Sequence, residues 1–245
     1  QLERIRQSLG LDQPLYVQFF TWINKLLHGD LGVSLISNKP VLELISFRVE
    51  PSISIAVSTI ILAVVVAVPL GVLAAWKQGT WIDRAVMALS VLGFSVPVFV
   101  IGYVLIQLFA IDLRWVPVQG FRSVTLGFGP FFERIILPTI TLSFIYIALI
   151  ARMTRASMLD VLGEDYVRTA RAKGIGEIPV LFRHALRNAA VPVITVIGTG
   201  FALLISGVVV TESVFNIPGI GRLTVDAVLA RDYPVIQAMI LLTSG

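Results

Sequence analysis

Residues 168 to 188 read RTARAKGIGEIPVLFRHALRN, with five Lys/Arg, one His and a single acid. Arg168, Arg171 and Ala172 stand at i, i+3 and i+4 and so share one helical face. Such a face does recognition chemistry: two guanidinium groups meet acids on another surface, and the small alanine lets that surface come close. Catalytic chemistry is not evident. The two histidines, His28 and His184, lie far apart, and there is no cysteine, so no zinc-ligand spacing exists. Neither G-x-S-x-G nor the G-x-x-x-x-G-K-[ST] phosphate loop occurs, and PGIGRL has no strand before it to make a dinucleotide site. No catalytic residue and no metal site is assigned.

The elements that must position this segment are apolar. Hydrophobic residues make up 56% of the 245-residue chain and charged residues only 14%, with a mean hydropathy of +0.89. The apolar residues gather into charge-free runs: Pro51 to Trp76, Ala85 to Ile111, Ile135 to Ala151, Asn188 to Thr211, and Tyr233 to the last residue. About 20 apolar residues of helix cross a ~30 Å hydrocarbon core. The runs therefore predict an all-α, polytopic membrane protein with about five spans, near 52–76, 85–111, 135–151, 188–211 and 233–245. None of these spans contains Asp, Glu, Lys, Arg or His, which argues against a proton-driven carrier. Pro69, Gly71, Pro97, Gly102, Pro192, Gly198 and Gly200 fall inside the runs. They read first as kinks and close helix contacts, with bending during gating as the sharper alternative.

Lysine and arginine collect on the cytoplasmic side of membrane proteins. Lys77 and Arg84, with Arg152, Arg155, Arg168, Arg171, Lys173, Arg183 and Arg187, place nine basic residues on one face. Arg114, Arg122, Arg134, Arg222 and Arg231 place five on the other. Residues 77–84 and 152–187 are therefore expected in the cytoplasm, and residues 1–50, 112–134 and 212–232 outside. An external N-terminal segment calls for one more span ahead of residue 1, six in the full chain. Within residues 1–50, LDQPLYVQFFTWINKLLHGDLG predicts a short amphipathic helix lying on the outer surface or against the bundle. Asp12 is its N-cap, Pro14 lies in its first turn, Gly29 ends it, and Tyr16, Phe19, Phe20, Ile23, Leu26 and Leu27 form its apolar positions.

In the 36-residue basic loop, Gly163 is expected to end the helix leaving the membrane and Asp165 to cap a short helix over Tyr166–Gly174. Ala170 and Ala172 would let another surface approach, and Gly174 would stop the helix in a left-handed conformation. A second helix is expected to start at Pro179 and carry Arg183, His184 and Arg187 into the next span. Outside, ESVFNIPGIGRL predicts a tight turn at Pro218, Gly219 and Gly221, with Phe215 and Ile217 folded back against the bundle near the outer mouth.

The segment EDYVRTARAKGIGEIPVLFRHALRNAAVPV resembles the signature loop of ABC importer permeases, in the dialect of the dipeptide/oligopeptide/nickel family. LGLDQPLYVQFFTWINKLLHGDLGVSL, ARMTRASMLDVLGEDY and ESVFNIPGIGRLTVDAVLARDYPV fit the same family in order. The general signature is Glu-Ala-Ala, three residues, Gly, then Ile-x-Leu-Pro. Here Arg168-Thr169-Ala170 stands in place of Glu-Ala-Ala, Gly174 fits, and His184 to Arg187 replace the last element. The resemblance implies a type I ABC importer transmembrane domain over 51–245, in the bacterial inner membrane. Its implied partners are a second homologous permease subunit in a heterodimer, two ABC ATPase subunits, an extracytoplasmic substrate-binding protein and the bilayer; no nucleic acid is expected. The chain itself would be no enzyme and carry no cofactor, with ATP and Mg bound on the ATPases. Tyr166, Arg168, Thr169, Ala170, Arg171, Ala172, Lys173, Gly174, Arg183 and His184 would couple to an ATPase, and Phe215, Pro218, Gly219 and Gly221 would form the outer-mouth loop. Peptides are the expected cargo. Nickel, glutathione or opines stay open as cargo, and a non-transporting scaffold or channel stays open as a different class.

Overall fold

The computed structural model describes residues 13–244, and Asp12, expected as a cap, lies outside them. The elements are helical. α1 is Leu15–Leu27 and α2 is Val41–Trp76. α3 is Trp81–Ser95, and α4 is Val98–Leu105 with a π-helical continuation Ile106–Asp112. α5 is Phe128–Leu162 and α6 is Asp165–Ala172. α7 opens at Glu177–Pro179, passes through a π-helical stretch Val180–Ala185 and continues as Leu186–Gly207. α8 is Val209–Val214, α9 is Ile220–Ala230 and α10 is Tyr233–Ser244.

Three helices are each long and apolar enough to cross a membrane: Val41–Trp76, Phe128–Leu162 and Glu177–Leu204. The second apolar run, expected as one span with Pro97 as a kink, is two helices bent by 99° between Ser95 and Val98. Pro97 explains the break: it lacks the N–H that would bond one turn back, and it drives Val96 into an extended conformation (φ −91°, ψ 123°). With the bent pair taken as one span, four are present among the described residues. The fifth run carries α10, 12 residues of apolar helix up to the last described residue.

The described residues fall into two compact units. One holds residues up to Arg48 and from Leu223 on; the other is Val49–Arg222. In the first, α1 buries no residue and leaves Leu15, Tyr16, Phe19, Phe20 and Leu27 exposed, a surface suited to lipid headgroups. Its N-cap position is taken by Pro14. Gly29 (φ +78°) ends it as expected, with Gly29 N–H on the Leu26 carbonyl and Asp30 N–H on that of Lys25. Asp232 holds the 33–40 turn, accepting from Ser34 Oγ at 2.5 Å and from Leu35 N–H at 3.1 Å.

In the second unit, α5 is the central post. Each neighbour reaches it where a side chain is missing or small. A Cβ at Gly71 of α2 would lie 2.7 Å from the Ala151 carbonyl oxygen, and one at Gly93 of α3 would lie 3.0 Å from that of Phe144. Gly200 of α7 faces Tyr146, while Gly102 of α4 lies against Val214 and Phe215 as well as Thr141 of α5. These are the close contacts that glycine permits between membrane helices. Gly198, by contrast, meets nothing within 4 Å.

Candidate functional site

α5 has 35 residues, about 52 Å at 1.5 Å per residue, well beyond a ~30 Å hydrocarbon core. Its last turns therefore stand clear of the apolar stretch and carry the chain into the basic segment. Leu162 is the last helical residue and Gly163 takes the C-cap, as expected. Glu164, not Asp165, is the N-cap of α6. Asp165 opens the first turn, where its charge still suits the positive helix end.

α6 is held from beneath. Val167 and Ala170, at i and i+3, are buried with Val180 against Val161, Leu162 and Ile175. Ala170 thus packs inward and is not offered to a partner. Tyr166, Arg168, Thr169, Arg171, Ala172 and Lys173 are exposed. At the far end Gly174 has φ +80°, its N–H bonds the Arg171 carbonyl at 2.9 Å, and Ile175 N–H bonds that of Ala170 at 3.2 Å. That pair of bonds is the glycine stop expected for this helix. α7 starts two residues before Pro179, with Gly176 as its N-cap; a proline third in a helix still leaves only an unpaired N–H position empty. Arg183 is exposed and His184 half-buried on its π-helical stretch, while Val180, Leu181 and Ala185 turn inward.

Two side-chain contacts tie this helix pair, and one within α6 accompanies them. Arg171 grips Glu177 with two bonds, Nε to Oε1 at 3.0 Å and Nη2 to Oε2 at 3.3 Å. Asn188 Nδ2 donates to the Tyr166 hydroxyl at 2.7 Å. Thr169 Oγ1 donates to the Asp165 carbonyl at 2.8 Å. Arg171 is therefore used inside the loop, whereas Arg168 makes only a long 3.4 Å contact to Asp165 and stays open.

Behind the pair, Arg155 of α5 holds Asp83 at the start of α3 by two bonds of 2.5 and 2.8 Å, and Gly79 N–H adds a third to the same carboxylate. Asp83 is buried, so α3 and α5 are fastened at the end that bears α6. Sequence reasoning took Arg155 as a topology charge and passed over Asp83, although an acid in a first helical turn beside an otherwise uncharged run was a usable signal. At the other loop, Phe215 and Ile217 are buried in a core with Ile55, Leu142, Leu204 and Val208, so the fold-back exists. Pro218 is exposed, Gly219 buried and Gly221 half-buried. Residues 212–214, read as loop, belong to α8, and Glu212 within it is fully buried.

Membrane-length helices gathered on a central post, with a capped, charged two-helix element at one end, describe a transporter's membrane domain. The fold agrees: a solved structure described as inward-facing conformations of the MetNI methionine ABC transporter matches 83% of this chain and 91% of its own, at TM-score 0.63 and 16% identity. The family model for the binding-protein-dependent transport system inner membrane component matches residues 67–244. A probable peptide ABC transporter permease protein of Sinorhizobium fredii is 58% identical over 98% of this chain and 77% of its own length. The glutathione transport system permease protein GsiC of Escherichia coli is 46% identical over 99% of this chain and 77% of its own. The chain belongs to the family of binding-protein-dependent transport system inner membrane components: it is an ABC transporter permease, as the sequence resemblance implied.

Proposed function

We propose that this chain is one of two different permease subunits of a bacterial inner-membrane importer. The machine carries short peptides and is driven by ATP hydrolysed on two separate ATPase subunits. The observation that carries the reading is the α6–α7 element. It is rigidly supported by Val167, Ala170 and Val180, yet offers Tyr166, Arg168, Thr169, Ala172 and Lys173 outward. A soluble ATPase needs such a handle, since a rigid helix transmits displacement where a flexible loop absorbs it. ATP-driven closure of the ATPase pair then moves α6, and α5, tied to α3 through Asp83 and Arg155, moves with it. The excess of Lys and Arg in residues 77–84 and 152–187 supports a cytoplasmic α6.

Peptide cargo is supported by the Sinorhizobium relative, and glutathione, itself a tripeptide, by the Escherichia coli one. The test is uptake by the reconstituted assembly, with each candidate binding protein and radiolabelled di-, tri- and oligopeptides, glutathione and nickel. ATP-dependent uptake of at least one peptide supports the reading. Uptake of nickel alone, or none that depends on ATP, defeats it.

A further inference from the structure

α8 carries a buried acid. Glu212 is 0% exposed. Its Oε1 accepts from Ser52 Oγ of α2 at 2.5 Å, and its Oε2 accepts from the Arg222 N–H in the first turn of α9 at 2.8 Å. Ser52 Oγ in turn accepts from Ile220 N–H at 2.8 Å. The chain between, 215–219, sinks Phe215 and Ile217 into the core, and the Glu212 carbonyl takes the Ile217 N–H at 2.8 Å. A Cβ at Gly219 would overlap the carboxylate, so PGIG is shaped to close over this acid. One carboxyl group therefore fastens α8, the loop and the start of α9 to α2.

We propose that Glu212 is a positioning residue of transport, a clasp that holds this end of the permease shut and releases during the cycle. The inference rests on the importer reading above. An apolar side chain would fill the same space without the desolvation cost of a buried charge. A carboxylate differs in what happens on opening: it exchanges its donors for water, so the open state is not penalised as an exposed apolar plug would be. The fastening is also directional, because its bonds form together only when the loop is seated. Pro51, one residue before Ser52, cannot donate a helical bond, so α2 is weakened where it would have to yield.

The test uses the complete assembly in liposomes with Glu212→Gln and Ser52→Ala, each of which removes a donor–acceptor match without emptying the site. Both are expected to assemble in wild-type amount. Binding-protein-independent ATP hydrolysis should rise roughly two- to tenfold, as loss of one hydrogen bond from the closed state implies, and peptide moved per ATP should fall. Wild-type hydrolysis and coupling in both variants would overturn the proposal, and so would failure of both to assemble, which would make Glu212 a folding element only. The hydrolysis rate needs no cargo. A wild-type assembly that imports none of the peptides offered therefore counts against the substrate class, and the clasp is still judged on that rate.

Discussion

The two glycines of the GIG turn should respond oppositely to one substitution. Gly174 sits at φ +80° with nothing within 4 Å of a built Cβ, so a side chain there meets no clash and suffers only the backbone penalty. For an L-residue in the left-handed region that is about 1–2 kcal/mol. Gly176 is at φ −59°, ψ 156°, the N-cap of α7, with its nearest neighbour Pro179 Cδ at 3.8 Å. Serine is as good an N-cap as glycine or better by a few tenths of a kcal/mol. Gly174→Ser should therefore weaken the stop of α6, and with it ATPase binding, by roughly 5- to 30-fold. Gly176→Ser should leave binding unchanged or slightly tighter. Gly174→Asn should recover much of the loss, since asparagine tolerates this conformation. The assay is ATPase affinity for the detergent-solubilised permease, measured by titration of labelled ATPase. Equal effects of serine at 174 and 176 would refute the claim that the backbone conformation of Gly174 sets the aim of α6.

Four further outcomes follow from the contacts. Arg168→Glu with Lys173→Glu should reduce ATPase retention, most visibly at low salt, because exposed charges are screened; retention on an affinity column at two salt concentrations checks it. Arg171→Glu should instead lower the melting temperature of the permease, since it sets a second acid against Glu177. Arg155→Leu, which leaves the buried Asp83 unpaired, should destabilise by up to about 3–5 kcal/mol, Asp83→Leu by less because Arg155 is partly exposed, and the double leucine variant should regain part of the loss; thermal unfolding in detergent reads all three. In the cysteine-free chain, cysteines placed singly at Ser123 and Thr169 should label from opposite sides of the membrane with an impermeant maleimide.

The long elements were legible because a span is written in one dimension: a charge-free run of sufficient length is enough. The stop at Gly174 and the burial of Phe215 and Ile217 were legible for a similar reason, since a glycine after a basic turn and apolar residues in a polar loop are local signals. What escaped was pairwise. Glu212 looked like the first residue of an external loop because it follows an apolar run, and Ser52, 160 residues earlier, gave no hint that it would meet that acid. Asp83 and Arg155 are 72 residues apart, so even where the acid stood out its partner could not be named. Arg171 was read as a docking charge because Glu177 lies six residues on, outside the spacing at which helix partners are sought. The bend at Pro97 was foreseen as a kink, but a proline alone does not foretell its 99° size.

The central claim is that α6 is the part of this chain an ATPase grips. A photo-crosslinking amino acid placed at Thr169, exposed and clear of the contacts that fold the loop on its buried side, tests it in the assembled transporter; the same probe at Ser123 serves as control. An ATPase adduct is expected from position 169, lost when the ATPase is omitted, and none from position 123. An adduct to the ATPase from the 77–84 loop, with position 169 reaching only lipid or water, would contradict it.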